Sequence, residues 1–145
     1  MFRKALPISI LAVIVAACAH APAAQTSAEG SYQGLIDARF ATFNRHDLDG
    51  IVKLYSPGAV MTSPVFCSPR QGQDGARQAY GDLFKAYPDI RDEVTGTVVQ
   101  GDRIAVQFTV HVGQYAVPIA DFLTVQDGVI TRDDAYFDPH GQHCS

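Results

Sequence analysis

Between Asp47 and Pro64 the chain passes through a helix start, a break and a strand in quick succession, and that order constrains the fold more than any other stretch. Asp47 caps a short helix running to about Tyr55, Ser56-Pro57-Gly58 ends it, and Ala59 to Ser63 reads as a brief strand stopped by Pro64. Ahead of it, Tyr32, Leu35, Ile36, Phe40 and Phe43 recur at helical spacing from Ser31 to about Asn44. Behind it, Pro64 to Gly72 is a loop rich in Pro and Ser. A third helix then runs from Gln73 or Asp74 to about Tyr87, where Pro88 terminates it. The rest is strand: Ile90 to Val99, Arg103 to about Gly113, Pro118 to Gln126 and Val129 to Phe137, joined at Gln100-Gly101-Asp102 and Asp127-Gly128. Short turns imply an antiparallel meander. Helices first and strands afterwards make the chain α+β and exclude a parallel α/β unit.

Strand alternation sorts side chains onto two faces. Ile104, Val106, Phe108, Val110 and Val112 share one face and should look toward the helices; Gln107, Thr109 and His111 share the other. Asp133, Ala135 and Phe137 share a face opposite Asp134, Tyr136 and Asp138. Leu123 and Val125 fall with Asp121, whereas Phe122 falls with Ala120 and Thr124. A sheet with apolar residues on both sides implies a homodimer through its outer surface. One residue breaks the pattern of the first helix. Arg39 stands inside the apolar stripe, between Ile36 and Phe43, and a charge aimed at a core must snorkel, pair or serve a ligand.

Apolar residues make up 47% of the chain and charged residues 18%, the balance of an ordinary globular domain. The formal net charge is −4 with scattered basic residues, which excludes the clustered footprint of a nucleic-acid binder. Residues 1–24 read as an export signal: Arg3 and Lys4, then an apolar run from Ala5 to Ala17 too short to span a bilayer. Val15-Ala16-Ala17-Cys18 resembles a bacterial lipobox, which implies lipidation of Cys18 and anchoring on the periplasmic side of the envelope; ordinary cleavage near Ala21-Pro22-Ala23 is the alternative. Residues 25–30 then form a tether, 31–139 the folded domain and 140–145 a tail. Outside the signal two cysteines remain, Cys67 and Cys144. In an oxidising compartment they are expected to pair, adding about 2–4 kcal/mol. A metal site from His140, His143 and Cys144 lacks a complete ligand set.

Three pieces carry a family resemblance: Asn44-Arg-His-Asp-Leu-Asp-Gly-Ile-Val52, Pro118 through Phe122, and the closing Asp-Gly-Val-Ile-Thr-Arg-Asp-Asp-Ala-Tyr-Phe-Asp. With them the segment from about Tyr32 to Pro139 resembles the ketosteroid-isomerase-like cone, also called nuclear transport factor 2-like or SnoaL-like. The resemblance implies a curved antiparallel sheet closed by three N-terminal helices around an apolar pocket. It places the first-helix Tyr of the isomerases at Arg39, their base at Ser63 before Pro64, and their second acid at Ala120, beside Asp121. Serine is no carboxylate base, so steroid isomerisation is not expected. The limonene-epoxide hydrolases share the ending Tyr-Phe-Asp, but their water-activating Asp falls here at Ala135.

Two functions follow. In one, the cone binds a small, partly apolar molecule, with Phe40, Phe43, Phe84, Phe108 and Phe122 as walls and Arg39 and Asp133 as polar anchors. In the other, a divergent isomerase or hydrolase uses a relocated acid–base set drawn from Asp133, Asp121, His111 and Tyr55. No cofactor is implied, since no dinucleotide, haem or zinc spacing occurs.

Overall fold

The structure is a computed structural model that describes residues 23–139 and residue 141. Cys18, with the rest of the signal before residue 23, lies outside the described residues, as do His140, His143 and Cys144. No described helix is long and apolar enough to cross a membrane.

Three helices lead. Helix α1 spans Ala23–Asn44, α2 Leu48–Val52 and α3 Gly72–Ala86. Helix α1 starts before Ser31, so the expected tether at 25–30 is helical. Its Ala-rich composition suits that, and Pro22 precedes it as the last strong breaker. Leu35, Ile36, Phe40 and Phe43 are buried along one face, with Arg39 among them. Asp47 caps α2 by accepting from the Gly50 N–H at 2.8 Å.

Six strands follow the helices or lie between them: β1 Tyr55–Thr62, β2 Arg70–Gln71, β3 Arg91–Gln100, β4 Arg103–Val112, β5 Tyr115–Gln126 and β6 Val129–Tyr136. They form one sheet in the order β2-β1-β6-β5-β4-β3. The meander from β3 to β6 is antiparallel, as the short turns require. Strand β1 adds to β6 in parallel, a pairing between distant segments that turn lengths do not reveal.

Strand β1 corrects one expectation. Ser56-Pro57-Gly58 does not end a helix but bulges within the strand. Tyr55 pairs with Ile130, the next partners are Val60 and Arg132, and the intervening residues are extra. Proline tolerates this place because a bulge needs no ladder donor there. Tyr55 thereby becomes an inward-facing strand residue, 1% exposed. The start of α3 lies against the bulge: Gly72 has φ +63°, and a Cβ on it would sit 2.4 Å from the Pro57 carbonyl oxygen. Only glycine fits.

The core fills the space between the helices and the inner face of the sheet. Ile104, Val106 and Phe108 of β4, Leu123 and Val125 of β5 and Ile130 of β6 meet Ile36, Phe40, Phe43 and Ile51 there. Phe122 faces outward, 51% exposed, edge-on to Tyr136 at 5.6 Å between ring centroids. It is therefore not a pocket wall. Alternation already set it opposite Leu123.

Candidate functional site

Arg39 is 5% exposed, and its guanidinium meets two carboxylates and two phenols. Nη2 donates to Asp121 Oδ2 at 2.6 Å, with Asp133 Oδ2 at 3.4 Å and the Tyr80 hydroxyl at 3.3 Å farther off; Nε lies 3.5 Å from the Tyr55 hydroxyl. Tyr55 donates to Asp133 Oδ2 at 2.5 Å, and its oxygen is 2.6 Å from that of Tyr80. The ring faces of Phe40 and Phe108 complete the setting, with the guanidinium carbon over them at 5.0 and 5.8 Å from their centroids.

Register explains why these groups converge. On β5 and β6, Asp121 stands opposite Ala135 and Asp133 opposite Leu123, which makes the two acids diagonal neighbours on the inner face. Tyr55 enters from the start of β1, Tyr80 from the buried face of α3, and Arg39 from α1 above them. Each group comes from a different element, so the cluster forms only when the whole domain closes.

The charges do not balance. One guanidinium serves two buried carboxylates, and Asp121 Oδ1 and Arg39 Nη1 have no hydrogen-bond partner. Burial, and then the charge of Asp133, push Asp121 up to about 8 against the pull of Arg39. Asp133 accepts from both Tyr55 and Arg39. Burial also raises Tyr55 and Tyr80 well above the ordinary phenol range, so both remain neutral donors. For Arg39, burial works against the charge, but Tyr80, Tyr55, Asp121 and Asp133 outweigh it and hold the guanidinium protonated.

Beside this cluster opens a cavity of about 540 Å³, reached from solvent and within the size range of small-molecule sites. Phe43, Met61, Leu83, Phe108, Val110 and Ile119 give it apolar walls, and Arg39, Tyr80, Asp121 and Asp133 face into it. Asp92 of β3 lines it as well, and burial pushes its carboxyl up to about 7.

Of the residues expected from sequence, Arg39, Phe43, Phe108, Asp121 and Asp133 line the cavity, and Tyr55 joins them through hydrogen bonds. Phe40 and Phe84 belong to the surrounding core rather than to the lining. His111 does not belong to the site: it points outward from β4 and lies 3.1 Å from Glu93, as its alternation with Gln107 and Thr109 requires. Tyr80 and Asp92 were not expected. Tyr80 hides in the apolar face of α3; Asp92 shares the inward parity of Ile90, which was its one signal. Ser63 and Ala135 also line the cavity, but neither carries a group that can serve as a base. Cys67 is disulfide-bonded.

The bent sheet, the three helices and the cavity between them define a nuclear transport factor 2-like cone. The model of the SnoaL-like domain matches residues 36–133, and the chain belongs to that family. No curated protein matches it. Among solved structures it is similar to an NTF2-like protein of unknown function from Cytophaga hutchinsonii, at 16% identity and TM-score 0.63 over 74% of this chain and 90% of that one. It is also similar to TerC co-crystallised with polyporic acid, at 23% identity and TM-score 0.68 over 74% and 92%. A third likeness is to the epoxide hydrolase/cyclase-like enzyme SalBIII, at 18% identity and TM-score 0.69 over 77% and 94%. At these identities the likeness is one of fold.

Proposed function

We propose that the protein is an exported cone that takes a small, mostly apolar molecule into its cavity and meets the molecule's polar group with Asp121, Asp133 and Arg39. The observation that carries this is the 540 Å³ opening with apolar walls on which a buried, incompletely satisfied charge cluster faces. TerC, which shares this fold, was co-crystallised with a small molecule, polyporic acid. Binding is tested with an apolar fluorescent dye such as Nile red on the purified mature domain. Ala135→Trp, placed to fill the cavity, should abolish dye binding while thermal stability is kept. Equal binding by both proteins would remove the cavity as the site.

The second reading is acid–base catalysis, favoured by the elevated Asp121, a cavity-lining residue whose buried Oδ1 has no hydrogen-bond partner. A protonated Asp121 beside Asp133, which accepts from Tyr55 and Arg39, offers a donor and an acceptor side by side, the division of labour that proton transfer at carbon or epoxide opening needs. The epoxide hydrolase/cyclase-like character of SalBIII fits such chemistry in this fold. Deuterium exchange into enolisable ketones and hydrolysis of small epoxides, each compared with Asp121→Asn, test it. Activity that survives in the variant excludes Asp121 as the acid.

Export, the lipid on Cys18, a Cys67–Cys144 bridge and a dimer through the outer sheet face complete the proposal. A mass of the mature chain carrying diacylglycerol on Cys18 would support anchoring; a chain starting near Pro22 would support the soluble form. Two thiols titrating before reduction would exclude the bridge.

A further inference from the structure

Arg39 accounts for two of the buried carboxylates in the cavity, and it leaves a third without a partner. Asp92 sits on β3 opposite Val110 of β4, whose partner on β5 is Val117, four residues along the strand from Asp121. It is 7% exposed, lines the cavity, and its Oδ1 has no hydrogen-bond partner. Among the described residues no salt bridge reaches it.

Its position is nevertheless held firmly. Asn44, the last residue of α1, accepts from the Asp92 N–H at 2.7 Å and donates to the Asp92 carbonyl at 2.8 Å. Both hydrogen bonds go to backbone, so Asn44 aims the strand and does nothing for the carboxylate. A buried carboxyl without a partner costs stability, and burial pushes this one up to about 7 with only Arg39 pulling it down. A residue so well placed and so poorly satisfied is a docking point for something that arrives.

The charge of the lining says what arrives. Arg39 is the one basic side chain among the described residues that line the cavity, and Asp121 and Asp133 already engage it. Against it stand those two acids, Asp92 and, at the rim, the exposed Asp138. An anionic guest would meet carboxylates with no cation to spare. A cationic one would supply the partner that Asp92 lacks. The aromatic and aliphatic walls require that the rest of the guest be apolar.

We propose that the cavity selects an amphiphilic amine, an apolar body bearing a protonated nitrogen, and that Asp92 is the residue that docks the ammonium group. This rests on the cavity being a ligand site, as proposed above, and adds the chemical class of the ligand. The test uses three probes with one apolar body: naphthylethylamine, naphthylethanol and naphthylacetate, titrated calorimetrically at pH 8, where a primary amine is still protonated. The amine should bind at least about tenfold more tightly than the alcohol, and the acetate most weakly. Asp92→Asn, which keeps the size of the side chain and the Asn44 clamp, should weaken the amine by about tenfold or more and leave the alcohol within about threefold. If that variant melts early, the order of the three probes on the unaltered protein decides alone. Equal binding of all three, acetate binding best, or an amine preference that survives in folded Asp92→Asn overturns the amine assignment and leaves the ligand-binding cone standing. Exclusion of all three, the neutral alcohol included, overturns both.

Discussion

Removing Arg39 strands two acids at once. Arg39→Met keeps the length of the side chain but leaves Asp121 and Asp133, 2% and 3% exposed, facing each other without a cation. Breaking a buried pair by deleting one partner costs about 3–5 kcal/mol, and urea unfolding at pH 8 should show a loss of that size. The loss should shrink at pH 5, where the stranded carboxyls take up protons. The intact cluster also has a pH signature. Asp121 and Asp92 hold their protons to about 8 and about 7 in the folded chain, whereas an unfolded aspartate releases its proton near 3.9. Their contribution is therefore fully present below about pH 4 and is lost as pH rises through the folded values. Stability should fall over that interval, at a slope on the order of 1 kcal/mol per pH unit. Asp121→Asn should flatten the slope; an unchanged slope would mean that Asp121 is ionised throughout. Arg39 was legible because it interrupts a helical stripe, and a charge in a stripe is conspicuous. Asp92 was not, because one acid beside Ile90 at a strand start looks like any surface residue.

Periodicity locates elements and misplaces their edges. Leu123 and Val125 put Asp121 on the inner face by simple alternation, and the register with Val106 and Ala135 bears that out. Phe122 shows the converse error. Apolar character alone assigns it to a wall, yet parity sends it to the outer face. The Pro-Gly step misled for a different reason: the same residues that stop a helix also make a bulge, and only the partner strand decides between them. That partner, β6, begins more than seventy residues after Tyr55, beyond the reach of any local rule. The bulge depends on Gly72, whose φ of +63° and lack of a Cβ let α3 start over Pro57. Gly72→Ala should lower the urea midpoint by the equivalent of about 1–3 kcal/mol. Full stability in that variant would mean that α3 can start elsewhere.

For the molecule as a whole, the inner face of the sheet is spoken for and the outer face is not. Phe122, Tyr136 and Val98 are 51%, 59% and 67% exposed on the outward side, more apolar surface than a strand usually leaves in water. The proposed dimer covers them, and sedimentation at micromolar concentration should return twice the mass of the mature chain. Phe122→Glu should return the monomer, with the cavity and its dye binding unaffected. A monomer before substitution would end the dimer proposal. The α+β class was readable because helices precede strands and the meander turns are short, whereas the cone was implied by the family resemblance. The cavity's chemistry was less so, since it is assembled from α1, α3, β1, β3, β5 and β6 together.

Arg39 and Asn44 sit on one rigid rod, little more than a turn apart, and each fastens it to a different stave of the barrel-like wall: one to β5 and β6, the other to β3. An axial slip of a single residue is about 1.5 Å, enough to break both the 2.6 Å grip on Asp121 and the 2.7 Å grip on Asp92. One shaft thus sets the seating of both strands, and the wall on either side of the cavity takes its placement from the same helix.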